Sequence, residues 1–199
     1  MEKRSRGRPK QFDEAKVLAA AGRVFWQKGY SATSLDDLAV AMEMNRPSIY
    51  RAFGDKQTIY LKTLSIFSTQ MELAMEATLF AEHDIRKGLG QFYRAALKVY
   101  TEGEQPLGCM VMSTAVPAAA THPEIQNDLS QVIKNIDNKL KRRFQQAMTA
   151  KALPEGFDVA TRVPIAQGVL HSLSIRARAG ESKAKLKKMI DDSVNLVLS

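Results

Sequence analysis

The sequence is poor in cysteine and has no long apolar run, and each absence excludes a class of protein. A single cysteine, Cys109, cannot build a disulfide framework within the 199-residue chain, which fits a reducing compartment. A run of about 18 apolar residues, long enough to span a membrane, does not occur. The first residues, MEKRSRGRPKQF, are charged and lack the apolar stretch of a secretory signal. We therefore expect a soluble, cytoplasmic protein with no membrane partner.

Motifs for catalysis and metal binding are also missing. The three histidines, His83, His122 and His171, are far apart and have no cysteine or acidic neighbour at ligand spacing. The GLG at 88–90 lies inside a helical pattern with no strand before it, unlike a phosphate-binding loop. Neither G-x-S-x-G nor HExxH occurs. The sequence predicts no metal, no cofactor and no enzymatic activity.

Positive charge is abundant and is concentrated at the N-terminus. Lysine and arginine number 29 against 21 acidic residues, a net charge of +8 that suggests a polyanionic partner. We interpret residues 1–10 as a basic arm, because the RGRP at 6–9 is similar to the core of an AT-hook, which fits the minor groove of A·T-rich DNA. Its candidate DNA contacts are Arg4, Arg6 and Arg8. The alternative is a solvated tail.

Residues 11–56 are predicted to form a small helical DNA-binding domain. A first amphipathic helix over 13–28 is followed by a second that Ser34 caps. Asn45 can cap a third helix, and Gly54 ends it. Three short helices, the last two joined by a tight turn, make a helix-turn-helix unit.

The third helix carries the side chains that suggest DNA recognition. Ile49 and Phe53 are its only large apolar residues and must face the other two helices. The outer side and its flanks then carry Arg46, Pro47, Ser48, Tyr50 and Arg51. Arginine can bind guanine O6 and N7 together, hydroxyl groups suit phosphate oxygens, and proline can contact a thymine methyl. On an isolated helix, such a polar face would be interpreted as a solvated surface. Here the helix follows a helix-turn and a basic arm, and this context favours DNA binding.

The stretch 25–59 resembles the N-terminal domain of TetR-type transcriptional regulators. The resemblance rests on an aromatic-x-x-x-Gly-Tyr end to the first helix, on Thr33 and Ser34 at the start of the second, and on the Ile49-Tyr50 pair of the third. The rest of the chain matches the family only in length and helical character.

The resemblance implies roles for individual residues. Phosphates would be held by Thr33, Ser34, Tyr50 and Lys56, and the bases would be faced by Arg46, Pro47, Ser48 and Arg51. The sequence departs from the family at the helix-turn-helix turn, where members often have glycine and this chain has Glu43. That departure predicts a turn that is strained or differently shaped.

Residues 57–199 show helical spacing throughout and no strand-like alternation, so the fold is predicted to be all-α. The predicted helices span 55–80, 85–100, 109–119, 123–151, 158–179 and 182–198, with a loop at 102–108. The 109–119 helix is almost entirely apolar and should be buried.

This larger domain is predicted to bind a ligand. Several apolar and aromatic side chains are first of all core residues, but they could equally line an adaptable cavity for a small apolar or amphipathic ligand. They are Phe67, Met71, Met75, Phe92, Tyr93, Tyr100, Cys109, Met110 and Met112. At the start of a helix, Cys109 could also be stabilised as a reactive thiolate.

The last two helices are predicted to form a homodimer, as the resemblance implies. The candidate interface residues are Ala166, Leu170, Leu173, Met189, Ile190 and Val194. Packing of these faces within one subunit is the alternative.

Together these features favour a homodimeric repressor at the nucleoid, bound to a palindromic operator and released by an inducer in the C-terminal domain. One alternative is an architectural protein that binds A·T-rich DNA without a ligand. Another is a regulator that senses oxidants or electrophiles through Cys109.

Overall fold

The computed structural model describes residues 12–199, and within that range the chain is helical with no strand. The helices are α1 (Glu14–Lys28), α2 (Leu35–Ala41), α3 (Arg46–Phe53), α4 (Lys56–Met75), α5 (Ile85–Tyr100), α6 (Val116–Ala119), α7 (Pro123–Thr149), α8 (Val159–Arg178) and α9 (Lys183–Val197). A π-helical turn, Glu76–Phe80, extends α4, and a second, Val111–Ala115, leads into α6. The predicted all-α class is confirmed. None of the described helices combines the length and apolar character needed to cross a membrane.

The helices of the N-terminal unit begin at the side-chain caps that the sequence predicts. Ser34 Oγ accepts from the backbone N–H of Asp37 at 3.1 Å, and the Asp37 carboxylate accepts from the N–H of Ser34 at 2.9 Å. Asn45 caps α3 by accepting from the N–H of Ser48 at 2.9 Å, and Asp55 caps α4 in the same way. These caps satisfy amide groups that have no partner inside the helix, and so they fix where each short helix starts.

The turn between α2 and α3 is strained, as the sequence predicts. Glu43 has a φ of 52°, in the left-handed region that favours glycine. The N–H of Met44 donates to the carbonyl of Ala39 at 3.0 Å, which closes the turn tightly. A residue with a side chain in this conformation lowers the free energy of unfolding by about 1 kcal/mol.

The segment at 109–119 forms differently from the single α-helix that the sequence predicts. It is π-helical over Val111–Ala115 and α-helical only over Val116–Ala119. Pro117 has no N–H to donate to the carbonyl four residues before it, and the chain is π-helical immediately before the short α-helix that contains this proline. The segment is mostly buried, as expected.

Helix α4 belongs to both halves of the molecule. Near its start, Ile59, Tyr60 and Leu64 are buried, and this part of the helix packs on α1. Further along, Phe67 and Met75 are buried in the larger helical bundle. The domain boundary predicted between residues 56 and 57 therefore falls at the start of a helix that the two halves share.

The residues predicted to form the dimer interface lie mostly inside the subunit. Ala166, Leu170, Leu173, Ile190 and Val194 are buried, and Met189 is half-buried. The reason is that α8 and α9 turn these faces toward each other and toward α5. The residues that these two helices expose are different ones, among them Ile165, Ile175 and Leu196.

We predict that Glu43→Gly stabilises the protein by up to about 1 kcal/mol, because glycine adopts a positive φ without steric cost. In a chain of this size that is a rise of about 2–4 °C in the thermal unfolding midpoint. The control is Glu124→Gly, at an exposed position in the first turn of α7, which should destabilise by about 1 kcal/mol. Equal losses in the two variants would show that the turn stores no strain.

Candidate DNA-binding surface and ligand cavity

The face of α3 is oriented as the sequence predicts. Ile49 and Phe53 point into the N-terminal core and are almost completely buried. Of the predicted DNA contacts on this helix, Ser48 is half-buried, and the exposed ones are Arg46, Pro47, Tyr50 and Arg51. A continuous polar face of this kind is available to a DNA groove.

Arg46 is already engaged within the protein. Its Nε lies 2.7 Å from one carboxylate oxygen of Asp36, and its Nη2 lies 2.5 Å from the other. The guanidinium holds the pKa of the Asp36 carboxyl below its usual value, mainly through these hydrogen bonds. Asp36 occupies the Nε–Nη2 edge of the guanidinium, so Arg46 can bind a guanine through this edge only by giving up Asp36, whereas the two N–H groups of Nη1 have no partner among the described residues.

Two of the predicted phosphate contacts are structural caps in this protein. Thr33 is buried, and its hydroxyl donates to the carbonyl of Gly29 at 2.7 Å. The hydroxyl of Ser34 is held by Asp37, as part of the capping box. Both hydroxyl groups stabilise the α1–α2 corner, and their hydrogen bonds within the protein compete with a hydrogen bond to a phosphate.

Lys56 is also turned inward. Its Nζ donates to the carbonyl oxygens of Tyr30 and Thr33, at 3.1 and 3.0 Å, and lies 4.5 Å from the centre of the Tyr30 ring. These contacts connect the start of α4 to the α1–α2 corner. The structure thus gives Lys56 a role in joining helices, whereas its predicted phosphate contact stays a prediction.

The arm at 1–10 lies outside the described residues, so Arg4, Arg6 and Arg8 remain candidate contacts. The first described side chain is Phe12, whose ring centre lies 5.7 Å from that of Phe53. The chain therefore enters the described fold beside the C-terminal end of α3.

A cavity lies in the larger domain, between α4, α7, α8 and the π-helical segment. Five of the nine predicted residues line it: Phe67, Met71, Tyr100, Cys109 and Met112. The other four are packed in the core away from it: Met75, Phe92, Tyr93 and Met110. Leu170, predicted at the dimer interface, lines the cavity instead. Its remaining apolar wall consists of Val111, Leu129, Val132, Ile133 and Ile136.

Polar groups in the cavity wall are the part that the sequence analysis missed. They are Ser68, Glu72, Asn135, Gln167 and His171. Two pairs of them are four residues apart, Ser68 with Glu72 on α4 and Gln167 with His171 on α8, and each pair interrupts an apolar helix face. That interruption at helical spacing is the signal that could have identified them.

The polar wall is ordered by contacts around Asp137. Gln167 is buried, and the amide orientation that satisfies both of its side-chain atoms is the one in which its nitrogen donates to the Asp137 carboxylate and, at 3.3 Å, to the carbonyl of Ile133. Burial lowers the pKa of His171 from its ordinary value, although the Asp137 carboxylate opposes the shift. A lowered pKa favours the neutral imidazole at neutral pH.

Cys109 lines the cavity as a buried thiol. Burial raises its pKa above the ordinary value, and it outweighs the hydrogen bonds from the backbone of Met112 and Val111 and from Tyr100. Its backbone N–H donates to Ser174 Oγ at 2.7 Å. A raised pKa removes the thiolate that a reactive cysteine needs, so the structure favours the core role of this residue.

Comparisons with known proteins connect both regions to one family. Residues 17–63 match the family described as "Bacterial regulatory proteins, tetR family", and residues 86–192, more than half of the chain, match the "Tetracyclin repressor-like, C-terminal domain". The chain is 29% identical over 195 residues to the HTH-type transcriptional repressor ComR of Escherichia coli (strain K12), covering 98% of this chain and 93% of ComR. It is 22% identical over 192 residues to YezE of Bacillus subtilis (strain 168), described as an uncharacterized HTH-type transcriptional regulator, covering 96% and 99% of the two chains.

A solved structure extends the likeness to three dimensions. The TetR family transcriptional regulator CifR, as a cysteine mutant complexed with a 26-bp double-strand operator DNA, superposes with a TM-score of 0.86. The two sequences are 26% identical, and the match covers 95% of this chain and 98% of CifR.

We predict that Asp36→Asn strengthens binding to DNA of any sequence, because it releases the Arg46 guanidinium and removes a negative charge from the DNA-facing side. An Arg46 guanidinium that is no longer neutralised by a carboxylate on the DNA-facing side should steepen the dependence of log Kd on log salt by about one. Fluorescence anisotropy over a range of salt concentrations measures this slope. The control is Asp191→Asn, which removes the carboxylate of an exposed pair with Arg94 on α5 and α9. A slope unchanged by Asp36→Asn would show that the pair does not restrain Arg46.

Proposed function

This chain belongs to the TetR family of DNA-binding transcriptional regulators, and we propose that it is a dimeric repressor that a small ligand releases from a palindromic operator. The observation that carries the proposal is the path of α4. The helix begins in the helix-turn-helix unit, where Lys56 holds the α1–α2 corner, and its second half contributes Phe67 and Met71 to the cavity wall. A ligand that displaces this wall acts on the same rigid element that positions α3.

A second connection runs from the π-helical segment to the DNA-binding unit. The hydroxyl of Tyr60 on α4 is hydrogen-bonded to Thr114 Oγ1 at 2.6 Å, and both groups are buried. Next to them the Tyr30 ring packs edge-on against His122, with 4.8 Å between ring centres. Val111 and Met112, in the same segment as Thr114, line the cavity. The π-helical segment that forms part of the cavity wall is thus hydrogen-bonded to Tyr60 on α4.

The size of the cavity supports release by ligand. It holds about 40 Å³, far less than the roughly 300–1,000 Å³ of a typical ligand site. A ligand of ordinary size must therefore move the helices apart, and it favours a conformer with a wider cavity. Differential affinity for two conformers is what release from an operator requires.

The dimer that we propose uses the outward faces of α8 and α9. On α8 the exposed or half-buried positions Ile165, Gly168, Ser172 and Ile175 recur at helical spacing, and a Cβ placed at Gly168 would meet open space. On α9 Leu196 is exposed. Small residues between large apolar ones let two helices approach closely. This face replaces the buried residues predicted from the sequence.

The DNA contacts that we propose are those of the exposed α3 face, with the basic arm as a second contact. CifR, a relative of similar length, is complexed with operator DNA, which supports an operator as the target of this chain. Such a protein works in the cytoplasm at the nucleoid. An architectural role on A·T-rich DNA is the competing outcome of the binding experiment below.

We predict that the protein selects an inverted repeat with half-sites about one helical turn apart, because two symmetry-related α3 helices must enter successive major grooves. Selection from a random library followed by sequencing measures this. Arg51→Ala should relax base preference at particular positions, with a cost of about 1–3 kcal/mol at those positions. Sequence-tolerant enrichment of A·T-rich DNA would instead support the architectural protein.

We predict that Ile175→Glu gives monomers, because two buried charges would face each other across the proposed α8 interface. Sedimentation velocity measures the assembly state. Operator affinity should fall when the dimer is lost. The matched control is Leu73→Glu, at a similarly exposed apolar position on α4, which should remain dimeric. A dimeric Ile175→Glu protein would place the interface elsewhere.

A further inference from the structure

The wall of the cavity contains information about the chemical class of its ligand. Most of the lining is aliphatic, aromatic or sulfur-containing, and the polar groups lie on α4, α7 and α8. No lysine or arginine is among the described residues that line it. Glu72 is the one acidic side chain among these lining residues, and burial favours the neutral form of His171.

An anionic ligand is therefore disfavoured at this site. A carboxylate or phosphate that enters loses its hydration and finds no cation to replace it. It also meets the negative charge of Glu72. That carboxylate already accepts from Asn135 Nδ2 at 3.4 Å and lies 3.8 Å from Lys139 Nζ, so the nearest cation is already shared with acidic groups of the protein.

One buried polar atom of the wall has no hydrogen-bond partner among residues 12–199. Ser68 Oγ is buried and makes no hydrogen bond to any described residue. An unsatisfied buried hydroxyl is unfavourable, and a ligand group that donates to it or accepts from it removes that cost. Phe67 lines the same cavity, so a ligand bound to Ser68 Oγ has an aromatic side chain within the surrounding wall.

We propose that the cavity binds a small, uncharged molecule that has an apolar body and one hydrogen-bonding group, of the class of aryl and alkyl alcohols, with that group on Ser68, and that it excludes carboxylates and phosphates. The inference rests on the proposed function, because it assigns a ligand class to the cavity from which we expect the operator to be released. A compact body is required, since the cavity is small and only limited widening keeps the apolar wall in contact with the ligand.

The chain contains its own reporter for binding. Trp26 is the single tryptophan, and its ring packs edge-on against Phe67, with 5.4 Å between ring centres. Because Phe67 lines the cavity, a ligand that moves it alters the surroundings of the indole. Tryptophan fluorescence of the full-length protein therefore follows occupancy without a label.

The test uses four compounds with one carbon skeleton at neutral pH: 2-phenylethanol, ethylbenzene, phenylacetate and 2-phenylethylamine. We expect 2-phenylethanol to bind at least about tenfold more tightly than phenylacetate, because the acid is buried as an unpaired charge. We also expect it to bind more tightly than ethylbenzene, which lacks the group for Ser68. Preference for the acid or the amine overturns the proposal, and so does a series in which no member binds.

Variants locate the hydrogen bond. Ser68→Ala should reduce the difference between 2-phenylethanol and ethylbenzene to less than about twofold while ethylbenzene binding is retained. Ser65→Ala, at an exposed position on the same helix, is the matched control and should leave the difference unchanged. An unchanged difference in Ser68→Ala would overturn the role of Ser68.

Operator binding by the same preparation separates this inference from the proposed function. A protein that binds the inverted repeat but no member of the series refutes the ligand class and leaves the DNA-binding function intact. A protein that binds 2-phenylethanol, with the preference described, and keeps its operator confirms the ligand class and refutes release by ligand.

Discussion

The burial of α4 in two different environments is the constraint on which the rest of the structure depends. Ile59, Tyr60 and Leu64 hold its first half in the N-terminal core, and Phe67 and Met75 hold its second half in the larger bundle. Since protein interiors are close-packed, neither half can move without repacking its neighbours. In the release that we propose, α4 does not absorb a displacement of the cavity wall locally, and the displacement reaches the unit that presents α3.

The two regions that α4 joins differ in how they use polar groups. The DNA-binding surface is exposed, and its charges, such as the Arg46–Asp36 pair, can be screened by salt and exchanged for new partners. The cavity wall is mostly apolar, so a buried group such as Ser68 Oγ, which has no partner among the described residues, carries the ligand preference that we propose. Burial also explains why Cys109 is not expected to be reactive, because it raises the pKa of the thiol at the cavity wall and so favours the protonated form.

The sequence predicts local structure well and tertiary contacts less well, for a physical reason. The caps at Ser34 and Asn45 and the strained turn at Glu43 depend on neighbouring residues, and all three are found in the structure. Helical spacing also identifies Leu170 and Met75 as buried, but it does not indicate what buries them. Leu170 lines the cavity rather than an interface, and Met75 lies in the core rather than in the cavity wall. Those assignments depend on how helices distant in sequence are packed, which no local pattern contains.

The coupling between the cavity and the DNA-binding unit is the central claim, and linked binding constants measure it most directly. The operator Kd is determined with the cavity empty and with it saturated by 2-phenylethanol, and the Kd of the alcohol is determined with and without operator. The account predicts that both constants rise by the same factor, about 5- to 150-fold. An operator Kd that is unchanged when the cavity is saturated would contradict it.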